Sequence, residues 1–85
     1  MRAVLVNAPN ETPVLTTVPD PDLPPHGAII EVRATGVCRS DWHAWVGHDD
    51  TVSFPHVPGH EFAGVVRAVG ADVRAFSGGE RVTAP

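Results

Sequence analysis

Lysine is missing from this 85-residue chain: every one of its six Lys and Arg positions is arginine, set against ten Asp and Glu, for a formal net charge of −4. A chain with this balance has no basic stripe of the kind that neutralises phosphates, so nucleic acid is not an expected partner. Cysteine occurs once, at Cys38. One thiol forms no internal disulfide; it suits reducing conditions and leaves Cys38 open to metal or redox chemistry. The longest apolar runs, Ala3 to Val6 and Ala63 to Val66, fall far short of the ~20 residues that span a bilayer. The start of the chain reaches Asn7 too soon for the apolar segment of a signal peptide, so a soluble, cytoplasmic protein without membrane partners is expected. No Gly-x-Gly-x-x-Gly occurs, and with it the usual dinucleotide fingerprint is absent.

A hydrophobic fraction of 42% with 19% charged residues is ordinary for a globular chain. At this length folding removes only roughly 60–65% of the unfolded surface from water, so one small domain with a thin core is expected. The pattern is mainly β. Ala3–Val6 and Val14–Val18 are β-favouring runs around a turn at Asn7-Ala8-Pro9-Asn10, which predicts a hairpin. The donor-poor stretch from Pro19 to Gly27 reads as a surface crossing. From Ala28 to Gly36 residues alternate, with Ile30, Val32 and Ala34 on one face, as in a half-buried strand. Phe62–Gly70 is a second long strand whose Gly64 suggests a bulge or a close backbone approach. Gly78-Gly79 then turns the chain into a short strand at Arg81-Val82-Thr83.

Chemistry-bearing residues gather in two clusters between the long strands. The first is Gly36-Val37-Cys38-Arg39-Ser40-Asp41-Trp42-His43, and the second is Gly59-His60-Glu61-Phe62-Ala63-Gly64. Ser40 to Trp45 has the makings of a turn and a half of helix, with Ser40 as N-cap and Asp41 in the first turn. Ser40 and His43 then stand on one face, where a hydroxyl and an imidazole are able to pass a proton; on spacing alone, a cap beside a solvated surface histidine is the commoner arrangement. Cys38 and His60 are the soft and borderline ligands that zinc prefers. Twenty-one intervening residues are not the short spacing of a structural zinc site, so a buried thiol and an unligated imidazole remain open on spacing alone.

The two clusters resemble the zinc-dependent medium-chain alcohol dehydrogenases, whose catalytic domain is GroES-like. Cys38, Ser40, Asp41 and His43 match that family's Cys-x-Ser/Thr-Asp-x-His block. Gly59, His60, Glu61, Gly64 and Gly70 match its Gly-His-Glu-x2-Gly-x5-Gly block. Val73, Phe76, Gly79, Arg81 and Val82 match a third block, with Glu80 where Asp is usual. The resemblance implies a mainly β fold, a GroES-like, partly open and incomplete β-barrel with one short helix. It implies that residues 1–85 are the N-terminal portion of such a catalytic domain, with the nucleotide-binding domain absent and this chain alone inactive. It also implies catalytic zinc held by Cys38 and His60, with Glu61 as a neighbouring carboxylate or an alternative ligand and Asp41 orienting the ring of His60. Ser40 and His43 would be the proton carriers, and Arg39 a contact to the pyrophosphate of NAD or NADP. The substrate would be a small alcohol or aldehyde, the reaction the oxidation of an alcohol to an aldehyde or ketone by hydride transfer to NAD or NADP, and the full-length enzyme a homo-oligomer. A stand-alone zinc-binding module without redox activity and a metal-free GroES-like interaction module are the alternatives. Trp42, Trp45, Val46 and Phe54 are expected either in the core or along an alcohol pocket. His26, His48 and His56 are expected in loops, and Asp49-Asp50 in a solvated turn.

Overall fold

A computed structural model describes residues 1–84. Five strands and one short helix follow in the order β1 (Arg2–Leu5), β2 (Val14–Thr17), β3 (Ala28–Thr35), α1 (Arg39–Trp45), β4 (Phe62–Val69) and β5 (Arg81–Thr83). The described residues form two compact units, one of residues 1–20 and 37–59 and the other of residues 21–36 and 60–84. The passage between them at 20/21 falls inside the proline-rich stretch, where missing amide donors leave the backbone little with which to pair.

In the first unit β1 and β2 pair antiparallel, Arg2 opposite Thr17 and Leu5 opposite Val14, as the hairpin pattern predicts. Val6 continues past β1 and exchanges both backbone bonds with His56 at 2.8 Å, which fastens the 50s loop to the hairpin. The turn after β1 is fastened to the end of α1. Asn10 N–H donates to the Trp45 carbonyl at 2.9 Å, and the Trp45 indole N–H donates to the Glu11 carbonyl at 2.7 Å. Trp45 is thus a structural anchor, its ring packed while its one polar atom is satisfied. Val6 and Ala44, 2% and 5% exposed, are the buried apolar residues of this unit.

The second unit is an antiparallel sheet in the order β3-β4-β5. Among the described residues, neither this sheet nor the two-stranded one closes into a barrel. Pairing of β3 with β4 is interrupted twice. Arg67 is the extra residue opposite the Ile29/Ile30 step, and Arg33 the extra residue between Val32 and Ala34. Both arginines meet one acid: Arg33 Nη2 lies 3.0 Å and Arg67 Nε 2.6 Å from the carboxylate of Glu31. These pairs are exposed enough to contribute little stability, but each gives the bulged side chain a defined direction. The simple alternation expected of β3 is not kept: Val32 is 53% exposed while its neighbour Glu31, which pairs with both arginines, is half-buried. The residue inserted in β3 itself is Arg33, after Val32.

Val66, 2% exposed, is the buried apolar residue of this unit, and its backbone bonds to Glu80 and Gly79 bring in the turn before β5. With three apolar side chains buried among the described residues, the core is as thin as the length predicts. Gly64 lies opposite Val32, where β4 runs close against the β3 backbone. A Cβ there would stand 2.3 Å from the Glu31 carbonyl oxygen and 2.8 Å from Cγ2 of Ile30. We predict that Gly64→Ala destabilises the chain by at least about 2 kcal/mol. Gly78→Ala, whose Cβ would meet nothing closer than 3.9 Å, should leave the denaturant midpoint unchanged.

Candidate functional site

The first unit carries most of the expected site, and one carboxylate organises it. Cys38, in extended backbone, is the residue before α1, and its N–H donates to Asp41 Oδ2 at 3.0 Å. The Asp41 N–H in turn donates to the Cys38 carbonyl at 3.1 Å. An acid at the third helical position thus satisfies the amide of the residue that opens the helix, the carboxylate half of a capping box. This corrects the expectation that Ser40 is the N-cap. Ser40 is the second residue of the helix, and its Oγ lies 2.9 Å from Cys38 Sγ. The other oxygen of Asp41 accepts the Gly59 N–H at 3.3 Å, joining the helix start to a segment eighteen residues further along the chain.

Cys38, Ser40 and Asp41 are therefore brought together, in a partly buried setting at Cys38 and Asp41. Cys38 and His60 offer the sulfur and imidazole donors that fit zinc. His60 follows Gly59 by one peptide bond, so its Cα is ~3.8 Å from the Cα of a residue that Asp41 holds. His60 and Glu61 belong to the second unit and are exposed. The Glu61 carbonyl accepts the Gly36 N–H at 2.8 Å, and its carboxylate lies against Gly36, 3.5 Å from where a Cβ would stand. Arg39, expected to meet a cofactor, lays its guanidinium over the Trp42 ring at 4.2 Å from the centroid. That contact holds the side chain on the surface of α1, in the stacked arrangement arginine favours.

His43 has a partner that the sequence reading leaves in a loop. Its Nδ1 lies 3.1 Å from Nδ1 of His48. The cause is the way α1 ends. Gly47, at φ +87°, takes the left-handed conformation that stops a helix, and its N–H donates to the Ala44 carbonyl at 3.2 Å. The His48 N–H then donates to the His43 carbonyl at 2.9 Å. These two bonds define a Schellman motif, which folds the residue after the glycine back onto the last turn. A glycine one place before His48 and four after His43 was the available signal. Trp42 presents its edge to both imidazoles, with centroids 5.0 and 5.4 Å away.

Asp49 completes this corner. Its Oδ1 accepts both the hydroxyl and the amide of Thr51. The Thr51 hydroxyl, then its amide, then the charges of His43 and His56 hold the Asp49 carboxyl below its ordinary pKa. A depressed folded-state pKa contributes stability that is present above the unfolded value and lost as pH falls through the folded one. We predict that the Asp49 carboxyl, followed by NMR, titrates below a free aspartate, and that Thr51→Ala moves its midpoint upward.

Residues 24–85 match the family described as the alcohol dehydrogenase GroES-like domain. The D-altritol 5-dehydrogenase of Agrobacterium fabrum is 44% identical over 69 residues, a match that covers 81% of this chain and 20% of that protein. The NADP-dependent alcohol dehydrogenase C of Mycobacterium bovis is 42% identical over 67 residues, covering 79% of this chain and 19% of its own length. Among solved structures, zinc-dependent alcohol dehydrogenase 2 from Streptococcus pneumonia superposes with a TM-score of 0.87 at 29% identity. That match covers 98% of this chain and 24% of the other. The chain thus spans about a fifth to a quarter of the relatives it matches. On this match and on the fold that carries it, the chain belongs to the alcohol dehydrogenase GroES-like domain family.

Proposed function

We propose that the chain is the N-terminal part of the catalytic domain of a zinc-dependent, NAD(P)-linked alcohol dehydrogenase that oxidises an alcohol to an aldehyde or ketone. The observation that carries this reading is the pair of hydrogen bonds that the amides of Cys38 and Gly59 donate to the two oxygens of the Asp41 carboxylate. It supports a role for the Cys38 loop and the start of the Gly59-His60-Glu61 segment in one site. Related proteins named for zinc and for NADP lend the reading its cofactors.

In this reading Cys38 and His60 hold zinc, a donor pair of thiolate and imidazole that matches catalytic zinc sites. Bound there, zinc supplies a Lewis acid that lowers the pKa of an alcohol hydroxyl. Asp41, by fixing the backbone on both sides, sets the direction from which Cys38 is offered, and a carboxylate near a ligating imidazole also fixes its tautomer. Glu61, resting against Gly36, is a neighbouring charge rather than a ligand.

Ser40 is positioned by its contact with Cys38 Sγ. Its Oγ takes the proton of the substrate hydroxyl as its own proton passes to His43, the exposed imidazole one turn along the same helix. NAD(P), when bound, would supply the hydride acceptor, taking two electrons and one proton from the alcohol carbon, and this chain's residues would carry away the remaining proton. Arg39, whose guanidinium lies on the surface of α1 over Trp42, would contact the cofactor's pyrophosphate. Its contact is the cofactor's only one assigned to this chain, and the substrate and the subunit contacts belong to the longer enzyme.

The test is zinc titration of the wild-type chain beside three variants, read by competition with a chromogenic chelator. Cys38→Ser should abolish measurable affinity. Asp41→Asn should weaken it by roughly 10–100-fold, the usual effect of removing a carboxylate behind the ligands. Glu61→Gln should change it by less than about threefold, since the group outside the ligand set contributes only a neighbouring charge. Equal affinity in wild type and Cys38→Ser would remove the thiolate, and with it this reading of the site.

A further inference from the structure

We propose that His43 and His48 form a second cation site, on the surface of the first unit, that takes a borderline divalent transition metal through Nδ1 of both rings. Nickel, copper and zinc are the ions suited to two imidazoles. The site uses neither Cys38 nor His60, and it stands whether or not the zinc reading above is right.

Four observations carry it. The two Nδ1 atoms are 3.1 Å apart. With metal–nitrogen bonds of 2.0–2.1 Å, that separation subtends roughly 95–102° at a shared ion, between the right angle of square-planar or octahedral sites and the tetrahedral angle. Both side chains are exposed, so an ion reaches them from solvent with water completing its shell. The spacing is also held by backbone rather than by the rings. The Gly47 turn and the His48 N–H to His43 carbonyl bond fix the two Cα positions, so the pair is organised before an ion arrives. Finally, the Asp49 carboxylate, pinned by Thr51, lies close enough to His43 for each charge to act on the other. A fixed negative charge near His43 favours a cation.

Without metal, one ring donates Nδ1–H to the Nδ1 lone pair of the other. On binding, the donor ring moves its proton to Nε2, so both Nδ1 lone pairs become available and no net proton need be released. Each exposed ring turns about its broad χ2 to aim its lone pair at the ion. Trp42, edge-on to both rings, sits where a paramagnetic ion quenches its fluorescence. In an enzyme that uses His43 as a proton carrier, the same ion would occupy the carrier's nitrogen and inhibit.

The experiment is titration of the 85-residue chain with nickel(II), followed by tryptophan fluorescence and by paramagnetic broadening of backbone amide resonances. Saturable quenching is expected, with broadening centred on residues 42–49. His43→Gln and His48→Gln should each weaken binding on the order of 100-fold, the chelate advantage lost when one ring remains. His26→Gln and Cys38→Ser should leave the broadening at residues 42–49 in place. Absence of broadening at residues 42–49, or unchanged affinity in His48→Gln, would overturn the proposal. The wild-type broadening pattern decides the location even where a variant fails to fold.

Discussion

One carboxylate bonded to two amides governs the chemistry-bearing part of this molecule. Asp41 accepts from Cys38 through one oxygen and from Gly59 through the other. The first bond starts a seven-residue helix that would be marginal on local propensity. The second ties that helix to a chain segment it does not adjoin in sequence. Hydrogen bonds to a charged acceptor are worth roughly 1.5–3 kcal/mol each. In a unit whose buried apolar residues are Val6 and Ala44, bonds of that size are a large share of what holds the loop. The helix is then closed at its other end by Gly47, and the backbone bonds there set the spacing of His43 and His48.

Small units with thin cores rely on such polar fastenings throughout. The Trp45 indole anchors α1 to the turn after β1, and Val6 exchanges bonds with His56. In the sheet of the second unit, Glu31 gathers the arginines of both bulges. These exposed pairs add little to the depth of the energy well, yet they decide which way the inserted residues face. Gly64 is the exception to polar fastening: its contribution is the missing side chain, without which β4 could not approach the Glu31 carbonyl.

Much of this was legible in the residues themselves. The two β-favouring runs around Asn7-Ala8-Pro9-Asn10 pair as a hairpin, the two long runs pair as β3 and β4, and Gly79 makes the turn before β5. Gly64 has the close backbone approach that a glycine inside a strand suggests. The family match agrees with the resemblance carried by the Cys38 and Gly59 blocks. Three features were not legible in that reading, each for a local reason. Ser40 is the better cap by residue type, but an acid three residues past Cys38 wins because a carboxylate is the stronger acceptor. Gly64 marked the neighbourhood of the Arg33 bulge, but which residues are inserted, Arg33 and Arg67, depends on how two strands slip past one another, which neither strand encodes alone. The meeting of His43 with His48 depends on a left-handed glycine, and its signal is the motif rather than either histidine.

The central claim is that Cys38 and His60 share one zinc ion. X-ray absorption at the zinc edge of the zinc-loaded chain tests it most directly, because sulfur and imidazole scatter distinctly. The account predicts one sulfur at ~2.3 Å and one imidazole nitrogen at ~2.0–2.1 Å in the same first shell. It also predicts that the sulfur disappears in Cys38→Ser and the imidazole in His60→Gln. A shell of nitrogen and oxygen alone in the wild-type chain would contradict it.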